Sequence, residues 1–187
     1  MIKPKPGSRQ NFRTLQPASV IHDAGCRVGL GNDIHRLAPG RELILGGVRI
    51  PFEKGPVAHS DGDALAHAIC DALLGALALG DIGQQFPDNS PQWYKASSLV
   101  FVRRVRDRIE EAGYRILNID STIGLERPKL GPHVAAMRRK LARALGVAPQ
   151  QVSVKAKSGE GHDAVGRGEA VRADAVALIV RRRGSGV

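Results

Sequence analysis

The chain has 187 residues, of which 42% are hydrophobic, 25% charged and 4% aromatic, which suits one domain with a real core and excludes a disordered chain. No apolar run approaches the roughly 20 residues a bilayer-spanning helix needs, so no membrane segment is expected, and the scarcity of aromatics argues against a base-stacking nucleic-acid module. Of the net charge of +10, residues 1–26 carry +3 and Arg181, Arg182 and Arg183 another +3, so more than half of it lies on tails, where it serves solubility rather than a nucleic-acid surface.

Residues 1–26 show no sustained period and lack the apolar stretch of a secretory signal. They read as a disordered basic extension before a domain at 27–181, with 182–187 as a basic tail. Residues 26–30 read as a short strand ending in GNDIH, and residues 42–50 as a strand or hairpin broken at Gly46-Gly47. Residues 61–79 predict a helix capped by Ser60 or Asp61, with Asp63 in its first turn, stopping at Gly80. Residues 97–112 predict a second helix ended by Gly113, and residues 114–125 a long strand. The prolines of ERPKLGPH argue against helix there, and residues 134–145 predict a third helix stopped by Gly146. Residues 152–157 read as a strand, 157–169 as a Gly-rich loop and 170–182 as a largely apolar, central strand. This order predicts an α/β (α+β) two-layer sandwich, a sheet of four or five strands with helices on one face. Cys26 and Cys70 have no CxxC spacing, which fits a reducing, cytoplasmic setting, with Cys70 packed as a small hydrophobe.

Three groups of residues carry chemistry. On the first helix Asp63, His67 and Asp71 are spaced i, i+4, i+8 and predict one ionisable stripe without Lys or Arg, preceded by His59. Such a stripe is either a solvated face or the wall of a cation site. In Asp33-Ile34-His35 strand alternation points the Asp and His the same way. With His67 they form a three-ligand inventory of the kind catalytic zinc uses. In KSGEGHDAVGRGE, Lys157, Ser158 and Arg167 stand on a backbone suited to phosphate, and Glu160 suits Mg²⁺ held partly by phosphates.

DIH, GGVRIPFEKGPVAHSDGDALAHAICDALLGALALGDIGQQFPD, ERPKLGPH and GRGEAV occur in this order along the chain. Together they resemble the 2-C-methyl-D-erythritol 2,4-cyclodiphosphate synthases. The resemblance implies a homotrimer with interfacial active sites and a central apolar cavity that could take an isoprenoid diphosphate. It implies cyclisation of 4-diphosphocytidyl-2-C-methyl-D-erythritol 2-phosphate with loss of CMP, a step of non-mevalonate isoprenoid synthesis. By resemblance Asp33, His35 and His67 hold Zn²⁺, and Glu160 holds Mg²⁺ or Mn²⁺. His59 and Ser158 match positions that stabilise the transition state. Ser60, Asp71, Phe86 and Asp88 match positions contacting methylerythritol, and Asp81 and Gly83 those at the ribose. Residues 125–131 match the cytosine loop, with Leu125 in it and Lys129 near the phosphates. Lys157, Ser158 and Ala164 depart from the common family pattern, Ala164 standing where an aromatic wall is usual. Asn32 replaces a common aromatic. The competing reading of the same metal inventory is a metal-dependent nucleotide phosphohydrolase.

Overall fold

The computed structural model describes residues 25–87, 91–93 and 96–182. Residues 1–24, Asp88 and 183–187 lie outside the described residues.

The first strand is much longer than its sequence suggests. β1 (Cys26–Pro39) runs through GNDIH instead of ending before it. It pairs antiparallel with the last strand from Cys26↔Val180 to Arg36↔Ala170. Gly, Asn and Asp are weak strand formers, but an unbroken ladder to an apolar neighbour overrides local propensity. The expected hairpin is present as β2 (Leu43–Leu45) and β3 (Val48–Ile50). Gly46 and Gly47 make its two-residue turn at φ 56° and 70°, the paired positive values that a tight hairpin turn requires. β4 (Lys54–Pro56) then returns to pair with the end of β1.

α1 (Ala64–Ala76) is shorter than the expected 61–79. Its N-cap is Asp63, not Ser60 or Asp61, and the chain leaves the helix at Leu77. α2 (Ile82–Gln85) is a single turn capped by Asp81, and a 3₁₀ turn at Pro91–Trp93 leads towards α3 (Ser98–Glu111). After β5 (Tyr114–Gly124), α4 (Gly131–Leu145) starts three residues earlier than expected. Proline is tolerated in a first turn, whose N–H groups have no helical acceptor, so Gly131-Pro132 open this helix rather than block it. β6 (Val152–Lys157), a helical turn α5 (Asp163–Gly166) inside the Gly-rich loop, and β7 (Ala170–Arg181) complete the chain.

The sheet order is β4-β1-β7-β5-β6, with β7 central as its apolar sequence predicts. Only β5 and β6 are parallel, joined through α4. The helices cover one face, and Leu65, Ile69, Leu73, Ile119, Ile123 and Ile179 are fully or almost fully buried beneath them. On the other face Val28, Leu30 and Ile34 of β1 are 65%, 69% and 57% exposed, and Val176 of β7 is 41% exposed. The result is a two-layer sandwich open on one side.

Where α1 crosses β1 the backbones nearly touch. A Cβ on Gly29 would strike the Ala72 carbonyl, and one on Gly31 the Ala68 carbonyl, both helix backbone that cannot step aside. Gly29 and Gly31 share a strand face with Asp33 and His35, so the seam fixes how deeply the helix sits beside those side chains. Gly31→Ala is therefore expected to cost about 3 kcal/mol or more, read as a lower urea midpoint at unchanged m-value. A midpoint equal to wild type would show that the seam can open freely.

Candidate metal centre

Strand alternation along β1 and the seam with α1 bring three side chains together. Asp33 Oδ2 lies 2.9 Å from His35 Nε2 and 2.9 Å from His67 Nδ1. The two imidazole nitrogens are 3.4 Å apart. Tetrahedral zinc with bonds of about 2.0–2.2 Å holds its donor atoms roughly 3.3–3.6 Å apart, so this triangle needs to expand by only a few tenths of an ångström. Among the described residues it is the one group of three such donors that converge. The donor types and spacing fit a divalent cation.

The electrostatics point the same way. Burial works against the Asp33 charge, but hydrogen bonds from His35 and His67 and their charges outweigh it, and the carboxyl is held well below its usual range. Burial also disfavours the charged form of His67. The Asp33 hydrogen bond and the charges of Asp33, Asp63 and Asp61 outweigh that, so its pKa is raised. A carboxylate that stays charged between two imidazoles, one of which is drawn towards its protonated form, makes a pocket that favours positive charge.

The triangle opens into a cavity of about 530 Å³. His59 and Ser60, both half-buried, line it with Ile82, Gly83, Trp93 and Phe101. Phe86 stacks on Phe101 at 4.8 Å and meets Trp93 edge-on at 5.3 Å, backing that wall. Asp81 is spent on capping α2, accepting from the Gln84 N–H at 2.9 Å. Asp71 accepts from the Ile82 N–H at 2.7 Å and so tethers α2 to α1. Burial, helped by the charges of Asp81 and Asp33, raises the Asp71 pKa against that bond.

The predicted stripe on α1 is therefore not one site. His67 turns to β1, and Asp71 turns to α2. Asp63 precedes the helix and is fully buried. Its Oδ1 accepts from the N–H groups of Ala66 (3.0 Å) and Gly46 (2.8 Å), and its Oδ2 from Gly47 (2.6 Å). It caps α1 and clamps the β2–β3 turn instead of orienting a metal ligand by direct contact. Cys70 is buried as expected.

The predicted phosphate loop lies elsewhere on the chain. Ser158 and Lys157 line a second cavity of about 500 Å³ with Leu125, Lys129 and Leu130. The Ser158 hydroxyl donates to Glu160 Oε1 at 2.6 Å, and Glu126 accepts from the Gly159 N–H at 3.0 Å. Glu160 is exposed and holds a left-handed φ of 50°, a backbone state that ordinary side chains rarely adopt. Ala164 sits in α5, and Arg167 is paired to Glu169 at 3.1 Å. None of these residues reaches the Asp33 cavity within one chain. Lys157 and Ser158 stand at the end of β6, three inter-strand steps or about 14 Å from β1, whereas the end of the loop returns to β1, where the Leu37 N–H donates to the Glu169 carbonyl at 2.7 Å.

The sequence reading missed two kinds of residue here. Gly29 and Gly31 could have been found from their alternation with Asp33 and His35. Ser98, whose Oγ is 2.8 Å from His67 Nε2, carries no local signal.

An α+β sandwich with an Asp-His-His triangle at one end of its sheet is the class that fold and site define. The YgbB family model matches residues 26–180. A 2-C-methyl-D-erythritol 2,4-cyclodiphosphate synthase of Moorella thermoacetica is 49% identical over 162 residues, covering 86% of this chain and 99% of that protein. A bifunctional enzyme IspD/IspF of Anaeromyxobacter sp. is 48% identical over 183 residues, 95% of this chain. The chain spans 47% of that protein, about half its length. A solved structure of 2C-methyl-D-erythritol-2,4-cyclodiphosphate synthase in a CDP-bound form is 42% identical, with a TM-score of 0.76 over 82% of this chain and 99% of that one. The chain belongs to the YgbB family, that of the 2-C-methyl-D-erythritol 2,4-cyclodiphosphate synthases. Among the described residues no helix is long and apolar enough to cross a membrane.

Asp63 generates a pH prediction. Burial, with the nearby Asp61 charge, pushes its carboxyl up to about 6 against the pull of three backbone N–H donors. A carboxyl raised in the folded state binds its proton more tightly there than in the unfolded chain. Its contribution to stability therefore falls as the pH rises from about 4 to about 6. In Asp63→Asn that component of the slope disappears. The stability of wild type relative to this variant is expected to drop by on the order of 2 kcal/mol across that window, measured by urea unfolding. A constant difference between the two would refute the shift.

Proposed function

We propose that the chain converts 4-diphosphocytidyl-2-C-methyl-D-erythritol 2-phosphate into 2-C-methyl-D-erythritol 2,4-cyclodiphosphate and CMP, as a phosphorus–oxygen lyase of non-mevalonate isoprenoid synthesis. The observation that carries this reading is the Asp33-His35-His67 triangle at the mouth of a substrate-sized cavity, in a chain nearly half identical to synthases of that name.

In the reaction an oxygen of the 2-phosphate bonds to the β-phosphorus, and the bond from that phosphorus to the α-phosphate oxygen breaks. CMP departs with the electron pair. Asp33, His35 and His67 would hold Zn²⁺, and Glu160 with the substrate phosphates Mg²⁺ or Mn²⁺. Cations bound there supply charge stabilisation on the reacting phosphates, whose mutual repulsion is about 4 kcal/mol per pair of unit charges at 4 Å and an effective dielectric of 20. His59 faces the same cavity and can donate to phosphate oxygens. Ser60 and the aromatic wall confine the methylerythritol end, and Gly83, on the same cavity, is the position matched to the ribose. Leu125, Lys129, Lys157 and Ser158 offer an apolar floor and positive charge for the cytidine end. Holding both ends of one flexible molecule makes the attack unimolecular and aligned, so no protein nucleophile is required.

The two cavities lie on different strands of one chain, which supports a site shared between neighbouring copies. The exposed Val28, Leu30, Ile34 and Val176 face supports burial of that sheet surface in a homotrimer. Phosphorus NMR of the reaction mixture is expected to show a cyclic diphosphate and CMP. Free phosphate or a linear product would instead indicate a nucleotide phosphohydrolase. The Asp33→Ala/His67→Ala double variant is expected to lose more than roughly 100-fold in turnover while keeping its oligomeric state. Turnover at the wild-type rate would refute the metal assignment. Leu30→Asp is expected to sediment as monomers and to lose activity with assembly. A trimeric Leu30→Asp, or an active monomer, would remove the shared-site reading.

A further inference from the structure

Behind His67, on the side away from the triangle, lies a buried polar chain that the reaction scheme does not use. Ser98 is fully buried in the first turn of α3. Its Oγ donates to Asp61 Oδ1 in a short hydrogen bond, and its backbone N–H donates to Asp61 Oδ2 at 3.0 Å. The same Oγ lies 2.8 Å from His67 Nε2. Ser60 Oγ is a longer contact to that nitrogen, at 3.3 Å.

The hydrogen count settles the direction of this chain. A serine hydroxyl has one hydrogen, and the Asp61 carboxylate can only accept. With that hydrogen committed to Asp61, Oγ has only lone pairs to offer His67. His67 Nε2 must therefore carry a hydrogen and donate it. Without a cation Nδ1 shares a hydrogen with Asp33 at 2.9 Å; a cation in the triangle takes the place of that hydrogen, and with the Nε2 hydrogen held by Ser98 the neutral ring then has its lone pair on Nδ1. A metal-binding histidine needs this arrangement, with one nitrogen free for the ion and the other held by an outer partner.

We infer that Ser98 and Asp61 are positioning residues for the metal centre: they fix the tautomer and ring orientation of His67, so that Nδ1 is presented to the cation. This rests on the metal reading given above. Neither residue lines the Asp33 cavity. The relay also ties the centre to α3, because Asp61 is anchored both by the Ser98 backbone and, through its own N–H, by the Ala96 carbonyl at 3.2 Å.

Asp61→Asn is a near-isosteric test. The Ser98 N–H, at 3.0 Å from Oδ2, is a closer donor than the Asp63 N–H, at 3.3 Å from Oδ1, so the asparagine carbonyl takes the Oδ2 position and its NH₂ group takes the Oδ1 position. That NH₂ donates to Ser98 Oγ and frees the hydroxyl hydrogen to point at His67 Nε2. The variant thus keeps the packing and reverses the relay, favouring the hydrogen on Nδ1. Ser98→Ala removes the relay outright.

The test measures Zn²⁺ affinity of the metal-free full chain by competition with a chromophoric chelator, on protein shown by circular dichroism to be folded. Ser98→Ala and Asp61→Asn are each expected to bind Zn²⁺ roughly 10- to 100-fold more weakly than wild type. The double variant is expected to be no weaker than Ser98→Ala alone, because both act through one chain of bonds. A merely structural role lowers the melting temperature of the metal-free protein but leaves the Zn²⁺ affinity of folded molecules unchanged. Wild-type affinity in the folded variants, within about twofold, would overturn the positioning role and leave the metal centre standing. A wild-type chain that binds no Zn²⁺ would overturn both. If Ser98→Ala does not fold, Asp61→Asn alone decides the outcome.

Discussion

The candidate site depends on one close contact, the seam in which α1 lies on β1 with no side chain between them. Helix and strand meet at Gly29 and Gly31, where any Cβ would collide with the carbonyls of Ala72 and Ala68. His67 is adjacent to Ala68 on the helix, and Asp33 and His35 continue the face of Gly29 and Gly31 along the strand. The donor triangle is thus the end of the seam. The alanines of α1, all buried on this side (Ala64, Ala68, Ala72), serve the same end by letting the helix backbone down onto the strand. Glycine weakens a strand by its backbone entropy, and here that loss accompanies a gain in position: two imidazoles and a carboxylate within hydrogen-bond reach of one another.

A second constraint enters at the start of α1. The segment Asp61-Gly62-Asp63 places two carboxylates that do different work. Asp63 gathers three backbone N–H groups, two of them from the β2–β3 turn, and so fixes where the helix begins. Asp61 reaches the other way, to the N-terminus of α3, where the unpaired N–H groups favour a negative oxygen. The hairpin and α3 are thereby locked to the same turn of chain that carries His59 and Ser60 into the cavity. Both acids also raise the pKa of His67 through their charge, so the scaffold and the electrostatics of the site come from the same residues.

How much of this was legible in the sequence varied with the range of the forces involved. α3, β5, β6 and β7 follow from apolar periodicity, and Gly113 and Gly146 stop their helices at φ 80° and 68°, as local rules require. β1 was legible only in its first residues, because Gly, Asn and Asp have poor strand propensity and only the ladder to β7 makes them strand. Asp33 and His35 were correctly placed on one face by alternation. The i, i+4 spacing was a weaker guide: His67 and Asp71 obey it, but Asp63 lies before the helix and turns inwards. Ser98 is 31 residues from its partner His67, so no local pattern could announce it. The resemblance put the phosphate loop and the metal ligands in one interfacial site, and sheet order places three strand spacings between β1 and the end of β6 that carries Lys157 and Ser158.

That separation and the bare outer face of the sheet are related. A sandwich with helices on one side only must leave a sheet surface to be covered by something else, and β1 contributes to both problems: its inward residues build the triangle, and its outward residues Val28, Leu30 and Ile34 form the exposed apolar stripe. On the proposed reading, covering that stripe with further copies of the chain would also bring the Lys129–Ser158 cavity of one subunit to the Asp33 cavity of the next. The cyclisation needs both ends of its substrate held at once, and in a single chain the two cavities share no lining residue, one being lined from β1 and α1 and the other from the ends of β5 and β6. Assembly would then be a condition of catalysis, because the strand that carries the metal ligands is also the strand that needs a neighbour.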